Sequence, residues 1–144
     1  MKLESYLEQL RENHLKVTPK RKAIISLLLK EKRYFSPLEI WDRLKSDFAR
    51  LGLPTTYRIL EELNNIGVLA RIEKKDRHLY YFLCNLSPVT HHHHFVCREC
   101  KRVEAVDYCN FRSIDQYVEK KLGCRAESHS LQIEGLCKEC KSIL

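Results

Sequence analysis

Two C-x-x-C pairs, Cys97/Cys100 and Cys137/Cys140, are the residues of this sequence best suited to chemistry. Two cysteines three apart hold one Zn²⁺ from a turn, and a second such pair completes a closed tetrahedral S₄ site. Thiolates select zinc over hard cations, and a closed site leaves no open position for a substrate. Between Cys100 and Cys137 lie 36 residues, more than a zinc ribbon uses, so the ion would staple the tail onto an earlier pair of strands. The competing reading of such pairs is a thiol redox couple. Cys84, Cys109 and Cys124 stand singly, and the odd total of 7 argues against a pure disulfide framework.

Directly before Cys97 runs His91-His92-His93-His94. On a strand, alternate side chains face opposite sides, so His91 and His93 point one way and His92 and His94 the other. One run can therefore serve two separate sites for zinc, iron, manganese or a similar ion. The competing reading is a solvated histidine stretch. A third constellation is Pro54-Thr55-Thr56-Tyr57-Arg58 at a helix start. Hydroxyls of Thr55, Thr56 and Tyr57 suit phosphates, and Arg58 suits a phosphate or a guanine edge. The competing reading there is ordinary helix capping.

These residues need elements to hold them. Leu3, Tyr6, Leu7 and Leu10 fall at helical spacing. Thr18-Pro19 reads as a cap before a second helix, and Ser36-Pro37-Leu38-Glu39 as a capping box before a third. Pro54 opens a fourth helix that Gly67 stops. Two strand-like runs follow, Val68–Ile72 and His78–Leu83, joined by a charged loop whose Lys74, Lys75 and Arg77 suit phosphates. Helices followed by a hairpin describe a winged helix-turn-helix, with the last helix in the major groove. Asn85–Thr90, containing Pro88, reads as a hinge. Beyond it the spacing predicts strands at 92–97, 102–106 and 129–134 and a covering helix at 111–122. The fold expected is α+β: a winged-helix DNA-binding domain (1–84), a hinge (85–90) and a small α/β dimerisation and metal-binding domain (91–144).

Composition agrees. The chain has 144 residues, 44% apolar and 31% charged, with a net charge of +7. Residues 1–83 carry 17 basic and 11 acidic side chains, whereas residues 84–144 carry 9 and 8, so the first part suits a polyanion. The second part is too small to bury a large core alone and needs a metal or a partner chain. Ile114, Tyr117, Val118 and Leu122 offer an apolar face for a homodimer. The apolar runs are too short to cross a bilayer, and Met1-Lys2-Leu3-Glu4 opens an amphipathic pattern rather than a signal peptide. The expectation is a cytoplasmic protein with no membrane association. A hydrolase or thiol oxidoreductase is disfavoured, because there is no H-E-x-x-H and nothing marks a substrate pocket.

The chain resembles the ferric uptake regulator (Fur) family of metal-responsive repressors. The resemblance runs through Leu15-Lys16-Val17-Thr18-Pro19-Lys20-Arg21, Thr55-Thr56-Tyr57-Arg58-Ile59-Leu60 to Gly67, His91 to Cys100, and Gly135-Leu136-Cys137-Lys138-Glu139-Cys140. It implies a homodimer on double-stranded operator DNA, with Lys16 near the minor groove and Tyr57 and Arg58 on the operator; Arg21 closes the first matching stretch. It also implies structural zinc at Cys97, Cys100, Cys137 and Cys140.

The family's sensor ligands are only partly present. His92 and His94 match, but Tyr34, Tyr81 and Ala105 stand where other ligands are expected. Zinc-sensing members place a Cys before the histidine run, so Cys84 with His92 and His94 implies a softer, zinc-like sensor. Ala70 stands at the acidic position expected beside it, leaving Glu73 or Asp76 as substitutes. A further family site implies His91, His93 and His129, with Arg112 at the carboxylate position and Cys109 or Asp115 as substitutes. The function expected is a repressor controlled by a divalent metal, zinc first, Fe²⁺ or Mn²⁺ next. The alternative is a regulator with a degenerate sensor, constitutive or responsive to heme, iron or peroxide.

Overall fold

The computed structural model describes residues 2–84 and 91–143; the expected hinge lies outside them. Four helices come first: α1 (Leu3–Glu12), α2 (Pro19–Lys30), α3 (Pro37–Leu44) and α4 (Leu53–Asn65). Their starts follow the sequence signals. The Thr18 hydroxyl accepts from the Arg21 N–H at 3.2 Å, and Pro19 takes the first turn. Ser36 and Glu39 exchange two hydrogen bonds, 3.1 and 3.2 Å, as a complete capping box. The fourth helix begins one residue before Pro54, capped by Gly52. Gly67 ends it at φ 81, a left-handed conformation that suits glycine.

Strands β1 (Leu69–Glu73) and β2 (Leu79–Leu83) pair antiparallel, Leu69 opposite Leu83. Asp76 organises their turn, accepting from the His78 N–H at 2.9 Å and the Tyr80 hydroxyl at 3.1 Å. Tyr6, Leu10, Ile24, Ile40, Leu60 and Leu63 meet in one core under this hairpin. Fully burying each aliphatic side chain contributes about 1.5–3 kcal/mol, so this core can sustain the helical part.

The second part is a three-stranded sheet in the order β4-β3-β5. Strand β3 (His93–Cys97) runs antiparallel to β4 (Val103–Val106) and parallel to β5 (Gln132–Gly135). The chain reaches β5 through α5 (Phe111–Leu122) and ends in the short α6 (Lys138–Ile143). Two expectations need correction. β5 starts at Gln132, not His129, because His129 sits in the preceding loop, stacked on Phe111 at 4.1 Å. And α5 does not cover the sheet in the single chain: none of its residues is buried.

The two parts meet. Tyr34, Ile72 and Phe82 from the first share an apolar cluster with Val96 from the second. The Tyr34 N–H donates to the Lys101 carbonyl at 3.0 Å, and Arg33 and Arg102 form an isolated β-bridge. Lys74 reaches Glu134 at 3.6 Å, and Lys101 reaches Glu39 at 3.6 Å.

Candidate metal centres

The parallel pairing of β3 with β5 sets Cys97 opposite Gly135, and so brings the two C-x-x-C pairs together. The turn after β3 closes through the Lys101 N–H to the Cys97 carbonyl, 3.0 Å, with Lys101 at φ 66. Cys137 directly precedes α6. Arg102 clamps that helix through Glu139 at 2.9 Å. The sulfurs of Cys97, Cys100, Cys137 and Cys140 then lie within 4.8 Å of one another, with Cys100 and Cys137 at 3.6 Å. A tetrahedron with ~2.3 Å zinc–sulfur bonds has edges of about 3.8 Å, so the four donors fit zinc. Burial opposes ionisation of Cys97, yet N–H groups of Cys100, Cys137 and Glu99 outweigh it and draw the thiol down to about 6. The Cys137 thiol and then burial push Cys140 up to about 12. Ionising all four therefore calls for a cation among them.

The histidine run divides as strand geometry requires. On one side, His91, His93 and His129 meet Cys109. The His129 Nε2 lies 2.9 Å from His91 Nε2, 3.3 Å from His93 Nε2 and 3.0 Å from Cys109 Sγ. Four donors of mixed sulfur and nitrogen at these spacings fit a tetrahedral ion with ~2.0–2.3 Å bonds. Cys109 lies before the Asn110 cap rather than on α5, and from there it reaches the cluster. Asp115, the other substitute, does not join it; it lines a cavity with Glu119 and Cys124.

On the other side, the Cys84 sulfur lies 3.0 Å from His92 Nε2 and 3.5 Å from His94 Nε2, and the two imidazoles are 3.1 Å apart. Cys84 follows the wing strand β2, whereas His92 and His94 belong to the run entering β3, so this cluster joins the two parts of the chain. Burial, then the neighbouring His92 and His93, lower the His94 pKa to about 4, which keeps its ring neutral and able to ligate. Phe82 packs its edge against His94 at 4.8 Å. Beside the cluster lies a cavity of about 340 Å³ lined by Asn64, Gly67, Leu69, Ala70 and Arg71.

Neither Glu73 nor Asp76 completes this set: Glu73 is exposed on β1, and Asp76 is occupied in the wing turn. The tyrosines at expected ligand positions are core residues. Tyr34 is buried and its hydroxyl accepts from Lys74 at 2.9 Å. Tyr81 is buried and donates a short hydrogen bond to Glu61, a carboxylate that Arg71 also holds at 3.0 Å.

The polar residues expected to face a nucleic acid separate into two groups. Tyr57 and Arg58 are exposed along α4, Thr55 is half-buried, and Lys16 and Lys75 are exposed. Thr56 is 0% exposed and its hydroxyl donates to the Gly52 carbonyl at 3.1 Å, so it bonds back onto its own helix instead. Arg21 binds Glu62 at 2.7 Å and the Lys16 carbonyl at 2.8 Å, fastening α2 to α4. Lys74 is held by Tyr34 and Glu134.

The family model described as "Ferric uptake regulator family" matches residues 12–134. The chain is 28% identical over 140 residues to the ferric uptake regulation protein of Bacillus subtilis, covering 96% of this chain and 94% of that protein. It is 26% identical over 140 residues to the peroxide-responsive repressor PerR of Staphylococcus saprophyticus, covering 96% and 91%. Among solved structures, the ferric uptake regulator of Helicobacter pylori, with three functional metal binding sites, superposes with a TM-score of 0.67 at 25% identity, over 98% of this chain and 95% of that one. A zinc uptake regulator complexed with zinc and DNA shares the fold with a TM-score of 0.79 at 22% identity, over 98% and 93%.

Proposed function

The chain belongs to the ferric uptake regulator family of metal-responsive transcriptional regulators, and from that premise we propose that it is a zinc-controlled repressor that binds operator DNA as a homodimer. The observation that carries the zinc assignment is the Cys84 thiol between His92 and His94, a set softer than the oxygen-rich sets that hold harder cations. The residues that fit a resident structural zinc are Cys97, Cys100, Cys137 and Cys140. Their ion would tie the tail to β3 and stiffen a sheet too small to hold itself. His91, His93, Cys109 and His129 fit a further ion.

In this reading residues 1–84 bind DNA, 85–90 link, and 91–144 dimerise. Tyr57, Arg58, Thr55, Lys16 and Lys75 face the operator, while Arg21 and Lys74 hold the wing and helices in place. Ile114, Tyr117 and Leu122 on α5, 55%, 60% and 64% exposed, supply the self-association face, and Leu131 and Ile133 are exposed as well. An ion shared between Cys84 and the histidine strand favours one placement of the DNA-binding parts, so metal shifts the population toward the operator-competent dimer.

The test is a set of sites selected from random DNA with Zn²⁺ present, then titrated by anisotropy with Zn²⁺, Fe²⁺, Mn²⁺ or chelator. Zn²⁺ should tighten binding tenfold or more, and Cys84→Ser should remove that response. A zinc response that survives unaltered in Cys84→Ser rules out this ligand set. Binding indifferent to every metal favours the second reading, a degenerate sensor, which rests on Tyr34, Tyr81, Ala70 and Ala105 standing where ligands are expected.

A further inference from the structure

The turn that carries Cys97 and Cys100 faces two ways. Inward it is built around sulfur. The Cys137 N–H points to the Cys97 sulfur at 3.4 Å, and the Arg98 N–H donates to the Gly135 carbonyl at 2.9 Å. Outward, the two residues directly after Cys100 hold the DNA-binding part. The Lys101 carbonyl accepts from the Tyr34 N–H at 3.0 Å, and the Lys101 ammonium lies 3.6 Å from Glu39, which caps α3. Arg102 pairs with Arg33 in a β-bridge, while its guanidinium holds Glu139, the neighbour of Cys140, at 2.9 Å. Val96 and Val103, cross-strand partners on either side of the turn, pack with Tyr34, Ile72 and Phe82.

Lys101 is the strained link. Its φ of 66 is a conformation that a lysine keeps only where its surroundings fix it. Two ligands on a common ion, Cys97 and Cys100, fix this turn from the inside. The outer contacts are few. The ion pair with Glu39 is partly exposed and weak by itself, so the docking depends on the shape of the turn. Neighbouring amides separate docking from folding. The Tyr34 N–H bonds across to Lys101, whereas the Phe35 N–H donates to the Tyr81 carbonyl at 2.9 Å inside the DNA-binding part.

We propose that the four-cysteine site is a second control point for operator binding. The Cys97–Arg102 turn, set by its resident ion, fixes the DNA-binding part of the same chain at Arg33, Tyr34 and Glu39. Losing that ion frees the DNA-binding part within each chain even where the Cys84 cluster is intact. This rests on the resident zinc named above and not on the choice of Cys84 as sensor.

Amide exchange followed by NMR tests the coupling in the full-length protein, zinc-loaded and then stripped by a strong chelator. Loading is checked with Co²⁺, whose thiolate charge-transfer absorption grows with the number of sulfur ligands. Stripping should speed exchange at Tyr34 at least tenfold and at Phe35 less than threefold. An unchanged Tyr34 overturns the proposal, as does equal loosening of Phe35, since the DNA-binding part itself then opens. Lys101→Glu should keep the thiolate absorption and the dimer, yet exchange at Tyr34 and dissociate from operator DNA at least threefold more readily. Arg98→Glu makes the same charge change in the same turn, where the native guanidinium meets Glu99 at 3.7 Å, and should stay within twofold of the wild type in both. Glu39→Gln breaks the ion pair from the far side, keeps the capping box and leaves the cysteine turn untouched; it should also speed Tyr34 exchange. Wild-type Tyr34 exchange in both Lys101→Glu and Glu39→Gln overturns the proposal, and so does an Arg98→Glu loss equal to that of Lys101→Glu. If the wild type gives no thiolate absorption with Co²⁺, the resident-zinc reading fails as well; full absorption with an indifferent Tyr34 removes the coupling alone.

Discussion

Tyr81 shows how a single residue changes the chemistry available to a site. Its ring fills the core, and its hydroxyl donates to Glu61. Burial and then the Glu61 carboxylate push its pKa up to about 12 from 10.0. A phenol whose folded value is raised contributes stability that is complete below 10.0 and is lost as pH climbs through about 12. Thermal melts should therefore fall across that alkaline window, and fall less steeply in Tyr81→Phe. Cys109 carries a second prediction: Cys109→Ser should lower bound zinc by one ion per chain, read by mass spectrometry under native conditions. The alternation of the histidines was legible because a strand leaves no freedom in which way each points. The choice of Cys109 over Asp115 was not, because it depends on where the chain stands just before α5. Thr56 is buried for a related reason: a threonine at a helix start can serve the backbone as readily as a ligand.

Among the elements, α3 rests on its capping box. Ser36→Ala should cost about 1 kcal/mol, measured by denaturant titration of the metal-loaded protein. Element starts were largely written in Thr18-Pro19, Ser36-Pro37 and Gly52-Pro54, because caps act locally. Strand β5 was displaced because a nonlocal attraction, the packing of His129 against Phe111 and the other imidazoles, overrides the local pattern. The exposed face of α5 leads to a fourth prediction. Tyr117→Glu should convert the protein to a monomer in sedimentation and weaken DNA binding by at least tenfold, while each chain keeps its zinc.

At the scale of the molecule, the first part stands on its own apolar core, whereas the second leans on neighbours. Removing zinc with a strong chelator should unfold the second part first, visible as rapid amide exchange through β3, β5 and α6 while α2 and α4 stay protected. The contact of Tyr34 with Lys101 could not be read from spacing, since it joins residues far apart along the chain. Strand β3 and the residues flanking it supply all three clusters: one face for each histidine pair, and the end of the strand for Cys97. It behaves like a key with teeth on both edges. Inserting one amino acid between His94 and Cys97 would rotate the blade by half a turn, presenting His92 and His94 to Cys109 and His91 and His93 to Cys84. Ligand identity can thus be traded tooth by tooth along this blade, but its length cannot.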